Sequence, residues 1–184
     1  MQSFKDEMNI CFISRISKMK NLPFALDVLK HVNTKYSFTI YGPIEDYEEW
    51  EICKAKIKKI KNFSIKYKGA IKASDVYTTL LNFDLLFVPS RGENFGHIFI
   101  ESLEAGVPVL TSDQTPWTWV NDEKAGGAFT LSNFDRYVKF LESYSSREKR
   151  HRYHINAINA YQKFLKENNS IEETKYLFKS IIDN

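Results

Sequence analysis

The stretch DLLFVPSRGENFGHIFIESLEAGVP, residues 84–108, decides the fold. It begins with a short apolar run, continues through a polar loop that ends at Gly96, and then changes to a helical pattern of apolar residues. After Gly106 a second apolar run begins. A buried strand, a loop, an amphipathic helix and another buried strand in this order are typical of a parallel β-α-β unit. We therefore predict an α/β chain built around a parallel sheet.

The same alternation recurs along most of the chain and predicts six strands with helices between them. The predicted strands are residues 9–14, 37–41, 64–68, 84–88, 107–111 and 128–131. The predicted helices are residues 22–32, 47–60, 73–81, 97–105 and 117–121, followed by a helical C-terminal region at 133–144, 146–168 and 171–182. Asn21 and Pro23 are suited to cap and start the first helix. The expectation is one Rossmann-like domain over residues 1–184, with a six-stranded parallel sheet covered by helices on both faces.

The composition is that of an ordinary globular domain and excludes several classes of protein. Hydrophobic residues make up 43% and charged residues 27%, and the formal net charge of +3 is too small for a general nucleic-acid surface. The two cysteines have no metal-binding spacing and fit a reduced compartment. Because the net charge is small, we expect no nucleic-acid partner. Because the sequence shows no secretory leader pattern and no apolar run of about 20 residues, we expect a cytoplasmic protein.

Unusual residues collect at the predicted carboxyl ends of the strands. In an open parallel sheet, ligands bind at this edge because helix N-termini and loop amides converge there. The residues at these ends are Ser14, Arg15, Lys18 and Lys20 after the first strand, Gly42 after the second, Gly69 after the third, residues 89–96 after the fourth and residues 112–114 after the fifth. Several loops that share one rim predict a ligand site more strongly than any single motif does.

The fourth of these loops carries the strongest signal. Glu93 lies just before the predicted helix and Glu101 lies in its second turn. Both carboxylates are therefore able to face one ligand from different positions along the helix axis. Gly96 lets backbone N–H groups approach an oxyanion, and the partial positive charge of the helix N-terminus adds to that attraction. The alternatives are a helix-capping role for Glu93 and a solvent-facing position for Glu101.

This pattern resembles the GT-B glycosyltransferases, specifically the retaining group called glycosyltransferase family 4, whose C-terminal domain carries a Glu, seven residues, Glu motif. The resemblance covers nearly the whole chain. Arg15 and Lys20 look like the Arg and Lys of the family's diphosphate-binding loop, and Gly42 and residues 68–71 look like its next two strand ends. The fold implied by the resemblance is the C-terminal, donor-binding half of a GT-B enzyme.

The resemblance also implies a role for each residue of the rim. Arg15 and Lys20 would hold the diphosphate of a nucleotide-sugar donor, Glu93 the hydroxyls of the transferred sugar, and Glu101 the ribose hydroxyls. Ile71 would meet the base through its backbone. Glu93, Arg15 and Lys20 are thus the predicted catalytic residues, and the full predicted donor-binding set is Arg15, Lys20, Gly42, Ile71, Glu93, Phe95, Gly96, His97 and Glu101.

The sequence departs from the family pattern at Ser14 and Asn94, where glycine is common in the family. Neither departure removes a charge or a donor, but a side chain changes how closely the backbone approaches a ligand. The amides of Phe95 and Gly96 are therefore the expected phosphate and sugar contacts. For His97 two interpretations stay open, a ligand contact and a helix-face pair with a later residue.

No metal-ligand cluster is evident in the sequence, so no metal or other cofactor is expected. Breaking a sugar–phosphate bond leaves a diphosphate whose growing charge must be stabilised. Two fixed cations and the helix amides would replace a divalent ion, each donor contributing on the order of 3 kcal/mol in a closed site.

Two further segments have a structural and a functional interpretation. A basic stretch in the C-terminal region is either a solvated helix face or a peripheral contact with an anionic membrane; its members are Arg147, Lys149, Arg150 and Arg152. Trp117 and Trp119 are either core residues or a stacking surface for sugar or base.

The leading hypothesis for function is the donor domain of a retaining glycosyltransferase, which moves a sugar to a hydroxyl of a glycan or a lipid-linked acceptor. An N-terminal acceptor-binding domain is expected as the missing partner, and helices at about 146–184 are expected to cross to it. An exposed apolar patch would then be formed by Phe164, Leu165, Tyr176, Leu177 and Phe178. The alternatives are a stand-alone nucleotide or nucleotide-sugar binding module and a sugar-nucleotide epimerase of related fold.

Overall fold

The computed structural model describes residues 7–60 and 63–182, of which residues 169–182 are described by their backbone alone. Six parallel strands form one sheet in the order β3-β2-β1-β4-β5-β6. The strands are β1 (Met8–Ile13), β2 (Tyr36–Tyr41), β3 (Ser64–Tyr67), β4 (Leu85–Phe87), β5 (Val109–Ser112) and β6 (Gly126–Phe129). The predicted six-stranded parallel sheet is thereby confirmed.

Helices follow the strands as the alternation predicts and cover both faces of the sheet. They are α1 (Leu22–Lys30), α2 (Tyr47–Ile57), α3 (Ala73–Leu80), α4 (His97–Glu104), α5 (Phe134–Tyr144) and α6 (Arg147–Ile182), with a short 3₁₀ turn at Thr118–Val120. On α1, the buried residues Leu22, Leu26 and Leu29 form one stripe against the sheet. That stripe explains why this segment is helical, since its apolar residues recur at helical spacing.

Two predicted boundaries are wrong for identifiable reasons. The C-terminal region after α5 is one helix, α6, and not two, because no glycine or proline interrupts residues 147–182. Strand β6 begins at Gly126 and not at residue 128. A Cβ atom at Gly126 would lie 1.9 Å from the carbonyl oxygen of Val109 on the neighbouring strand, so glycine is what permits the pairing there.

The basic stretch of α6 is not a uniform solvated or membrane-facing surface, because Arg150 is fully buried. Its Nη1 lies 3.1 Å from Oδ2 of Asp84, and that oxygen also accepts from the backbone N–H of Asn9 at 2.7 Å. Arg152, in contrast, is exposed and pairs with Glu148 one turn away. The start of α6 is therefore fastened to the amino ends of β1 and β4, the edge opposite the predicted ligand rim.

Among the helices that the structure describes, none combines the length and apolar composition needed to cross a membrane.

Candidate functional site

The loops after β1 and β2 are joined side by side at the carboxyl edge of the sheet. Ile16 forms a parallel bridge with Ile44, and the backbone N–H of Glu45 donates to the Ile16 carbonyl at 3.1 Å. Gly42 has φ 136°, and a Cβ atom there would lie 1.9 Å from the carbonyl oxygen of Ser14. Glycine at position 42 thus lets the two loops touch, a structural role in addition to the predicted donor contact.

Lys20 and Glu93 come from different loops and form an ion pair. Their side chains are only 12% and 9% exposed, and the hydroxyl of the buried Ser90 donates to the same Glu93 oxygen, Oε1, at 2.9 Å. Sequence reasoning missed Ser90, because a serine near a strand end carries no distinctive signal. Its carbonyl in turn accepts from the hydroxyl of Ser112, which ties the fourth loop to the end of β5.

The Glu93 carboxylate lies against the N-terminus of α4. Gly96 precedes the helix in the left-handed conformation with φ 80°, and a Cβ atom on it would be 3.5 Å from the Glu93 carboxyl carbon and 2.8 Å from the Phe99 ring. In residues 7–60 and 63–182, the backbone N–H groups of Phe95 and Gly96 have no hydrogen-bond acceptor. Unpaired amides and the helix dipole make this end of α4 attractive to an anion.

Glu101 is half-buried on α4, one turn after the exposed His97. Burial raises the pKa of the Glu101 carboxyl, the nearby His97 lowers it, and Glu104 raises it further. His97 and Glu101 are thus close enough to interact, as the helix-face interpretation of His97 expects.

Arg15 is not paired with Glu93. Its Nη1 donates to Oε1 of Glu45 at 2.5 Å, and the two side chains are 59% and 47% exposed. Both residues line a cleft of about 720 Å³ between the loop after β1 and the start of α2, together with Ser17, Lys18, Met19, Asp46, Tyr47 and Glu48. The structure therefore brings Lys20, Glu93 and Gly96 together and places Arg15 in the adjoining cleft.

The aromatic residues near the rim differ in exposure: Trp117 is buried, whereas Phe95 and Trp119 are at least partly exposed. Trp117 is 2% exposed, and its Nε1 donates to the carbonyl of Phe95, a residue that is itself 38% exposed. Trp119 is half-buried and stacks on Phe164 of α6 with the ring centroids 6.2 Å apart and the planes at 10°. Of the two interpretations of Trp117, the structure therefore favours the core residue over the stacking surface, because its ring is enclosed.

Of the predicted apolar patch on α6, Phe164 is half-buried and packs within this domain on Trp117 and Trp119. Leu165 is half-buried. The side chains of Tyr176, Leu177 and Phe178 lie outside the described residues. Ile71, the predicted base contact, is half-buried after β3 and packs against the core.

The described part of the chain contains no group of three or more His, Cys, Asp or Glu side chains arranged to hold a metal ion.

A parallel six-stranded sheet of this order matches the Rossmann-like C-terminal domain of the GT-B glycosyltransferases. The chain belongs to the family described as glycosyl transferases group 1, whose sequence pattern matches residues 2–163. An uncharacterized 41.2 kDa protein in the cps region of Klebsiella pneumoniae is 27% identical over 144 residues, which cover 77% of this chain and 38% of that protein.

Solved structures of glycosyltransferases share the fold. Sucrose-phosphate synthase from Thermosynechococcus elongatus matches with a TM-score of 0.80 at 14% identity, covering 96% of this chain and 46% of that one. HepE of Anabaena, solved in complex with UDP, matches with a TM-score of 0.75 at 18% identity, covering 93% and 49%. WaaG, a glycosyltransferase involved in lipopolysaccharide biosynthesis, matches with a TM-score of 0.73 at 14% identity, covering 86% and 44%. The chain therefore spans less than half the length of each of these proteins.

Proposed function

We propose that this chain is the donor-binding domain of a two-domain retaining glycosyltransferase. It binds a nucleoside diphosphate sugar, and the sugar moves to a hydroxyl of a glycan or a lipid-linked acceptor held by a second, N-terminal domain. The observation that carries the proposal is the Lys20–Glu93 pair, which lies beside the free amides at the N-terminus of α4. The domain alone is inactive in this proposal, because the acceptor is bound elsewhere.

The proposed diphosphate site consists of Lys20, Arg15 and the amides of Phe95 and Gly96. When the bond between the sugar and the diphosphate breaks, the electron pair stays with the diphosphate, and its added negative charge needs fixed positive groups nearby. Lys20 is already held at the rim, while Arg15 must leave Glu45 to reach a phosphate. These groups take the place of a divalent ion, so binding is metal-independent in this proposal.

Glu93 is the proposed contact for the transferred sugar. Lys20 and Ser90 both donate to its Oε1, and Oε2 has no donor among the described residues. One oxygen is thus fixed by the protein, and the other is left for sugar hydroxyls. A carboxylate oriented in this way accepts strong, charge-assisted hydrogen bonds.

Glu101 is the proposed partner of the ribose, and the backbone at Ile71 is the proposed partner of the base. The base is proposed to be uracil, because several matched structures were solved with a uridine nucleotide. HepE is described with UDP and with UDP-glucose, and TarM of S. aureus with UDP. His97 and Phe95 flank the same helix start and complete the proposed donor set.

The remaining parts of the proposal concern the whole protein. The chain covers less than half of its matched structures, which leaves room in a protein of that length for an acceptor domain of similar size. The C-terminal part of α6 is proposed to cross to that domain. A cytoplasmic location with peripheral contact to the membrane that holds the acceptor fits a lipid-linked substrate.

The experiment that tests the donor site compares three variants of the same loop. Lys20→Ala and Arg15→Ala are titrated with uridine and with UDP. Lys18→Ala serves as the matched control because Lys18 lies on the same loop, outside the proposed donor set, and pairs with Asp46 and Glu48 among the described residues. Losing a charge-assisted contact costs about 1.5 to 3 kcal/mol, or roughly tenfold to hundredfold in affinity. We expect this loss for UDP with the first two variants, little change for uridine, and little change with Lys18→Ala.

A stand-alone binding module is the second candidate, and it makes a different prediction. Joined to its N-terminal domain, a transferase releases UDP from a UDP-sugar, whereas a binding module does not. If the full-length protein bound UDP-sugar but never released UDP, with a range of glycan and lipid acceptors, the binding module would be the better account.

A further inference from the structure

Lys20 lies between two residues that are both fastened to the fourth loop. On one side, the backbone N–H of Arg91 donates to the carbonyl of Met19 at 2.8 Å. On the other side, the side-chain amide of Asn21 donates to the carbonyl of Pro89 at 3.2 Å and accepts from Nη2 of Arg91 at 3.3 Å. These contacts bracket Lys20 on the first loop and precede Glu93 on the fourth.

Asn21 does not do what its place in the sequence predicts. It stands at the N-cap position of α1 but makes no side-chain cap hydrogen bond there. Its side chain instead points across to the fourth loop, and the residue is only 2% exposed. The expected helix-capping role is thus wrong, because the amide group is committed to Pro89 and Arg91.

The backbone of Asn21 is as unusual as its side chain. It is left-handed, with φ 56° and ψ 41°, a conformation that asparagine tolerates better than most residues with a side chain. The sharp turn through residues 17–21 is closed by the N–H groups of Lys20 and Asn21, which both donate to the carbonyl of Ser17. Position 21 therefore needs a left-handed backbone and an amide at once, and asparagine supplies both.

We propose that Asn21 is a positioning residue that joins the first loop to the fourth and thereby holds the Lys20 ammonium against Glu93. The inference rests on the proposed function, since it takes Lys20 to be the diphosphate contact. Without the side-chain contacts of Asn21, the links that the described residues keep between the two loops near Lys20 are the bond from Arg91 to Met19 and the Lys20–Glu93 pair itself. Lys20 then loses its fixed place, and a fixed charge binds a diphosphate more strongly than a mobile one because less side-chain freedom is lost.

The decisive variant is Asn21→Gly, because glycine keeps the left-handed backbone and removes only the amide. We expect it to weaken UDP binding by about tenfold and to leave uridine binding unchanged. In a Lys20→Ala background the same substitution is expected to have almost no further effect, since Asn21 acts through Lys20. A similar loss of UDP affinity in both backgrounds, or an equal loss for uridine, would overturn the proposal.

A second measurement probes the position of the Lys20 ammonium without any ligand. Its outcome does not depend on whether the proposed donor site binds UDP. The rate at which an amine-reactive reagent labels Lys20 is followed by mass spectrometry, with exposed Lys18 as the internal reference. Asn21→Gly is expected to raise the labelling of Lys20 at least severalfold and to leave Lys18 unchanged. Equal labelling of Lys20 in both proteins overturns the positioning role, whereas failure of the unaltered chain to bind UDP overturns only the donor site.

A second variant, Asn21→Asp, keeps the proposal testable if Asn21→Gly fails to fold. Aspartate still accepts from Arg91 but has no N–H for the Pro89 carbonyl, so part of the bridge remains. We expect UDP affinity and Lys20 labelling between those of the unaltered chain and Asn21→Gly. Values indistinguishable from the unaltered chain in both measurements would contradict the role assigned to the amide donor.

Discussion

At the residue scale, Arg15 holds a carboxylate in the place where a phosphate is proposed to bind. Its pair with Glu45 is well exposed, and exposed pairs contribute only about 0 to 1 kcal/mol. Replacing Glu45 by a diphosphate as the partner of Arg15 therefore requires little free energy, whereas separating the enclosed Lys20–Glu93 pair requires much more. For the proposed donor site, we therefore expect Lys20 to stay in place when the donor binds and Arg15 to move.

Glu45→Gln tests this exchange. Removing the competing charge frees Arg15, so UDP affinity is expected to rise by up to about fivefold, the equivalent of about 1 kcal/mol. Calorimetric titration measures the change, and Glu48→Gln is the matched control because Glu48 lines the same cleft without pairing to Arg15. A weaker affinity in Glu45→Gln alone would mean that Glu45 orients Arg15 for the phosphate and does not compete with it.

Glu101 predicts a pH dependence of donor binding. Burial, the largest cause, raises the pKa of its carboxyl, and its ionised form is the one proposed to accept ribose hydroxyls. Affinity for UDP-glucose should therefore fall on acidification at a higher pH than an ordinary glutamate, with a pKa of about 4.3, would give. The phosphates of UDP-glucose stay ionised over this range, so they do not mask the effect.

The check is a titration of UDP-glucose across the acidic pH range. Glu101→Gln should remove the acidic fall in affinity, and Glu104→Gln should shift it to lower pH, because Glu104 raises the Glu101 pKa. The charge of His97 acts in the opposite direction and is removed by His97→Gln in a parallel series. An acidic fall that persists unchanged in Glu101→Gln would exclude this carboxylate as its source.

The sequence allowed part of the site to be predicted at this scale. Glu93 and Lys20 were expected at one rim because strand ends in a parallel sheet share an edge, and they pair there. Ser90 and Asn21 were not expected as contacts of the fourth loop. Ser90 bonds to Glu93 three residues away in the same loop, where a serine carries no distinctive signal. The role of Asn21 depends on the distance between the first and fourth loops, which residues 68 and 70 apart in sequence do not reveal and only the folded chain sets.

At the scale of the elements, α6 is fastened at its start by a buried ion pair. The guanidinium of Arg150 and the carboxylate of Asp84 are 0% and 6% exposed, and the Tyr144 hydroxyl donates to the Asp84 carbonyl at 2.6 Å. The burial of Arg150 was not predictable from the sequence. Three of the four residues in the basic stretch are not buried, and helical spacing alone does not say which one faces inward. The helix itself was predictable from its pattern, but its attachment was not.

Arg150→Ala is expected to destabilise the fold by about 3 to 5 kcal/mol, because it leaves the Asp84 carboxylate buried without its cation. Arg152→Ala, which breaks only an exposed pair one turn away on the same helix, should cost less than about 0.5 kcal/mol. Urea denaturation followed by circular dichroism gives both free energies of unfolding. Comparable values for the two variants would show that the buried pair is not what fastens α6.

At the scale of the whole molecule, the sheet order places β1 and β4 side by side, so the two loops that carry Lys20 and Glu93 are neighbours. The parallel six-stranded sheet was predictable from the alternation of apolar runs and helical patterns, whereas the order of its strands was not part of the prediction. What the sequence did not predict is the length of α6, and it left open whether Trp117 is enclosed. Both depend on packing between distant segments.

The central claim is that this rim binds a nucleoside diphosphate without a metal ion, and one calorimetric titration tests it most directly. The chain is titrated with UDP in the presence of excess EDTA and again with added Mg²⁺. We predict binding with the same affinity in both titrations, because Lys20, Arg15 and the α4 amides supply the positive groups. Absence of binding at millimolar UDP in both titrations would contradict the account.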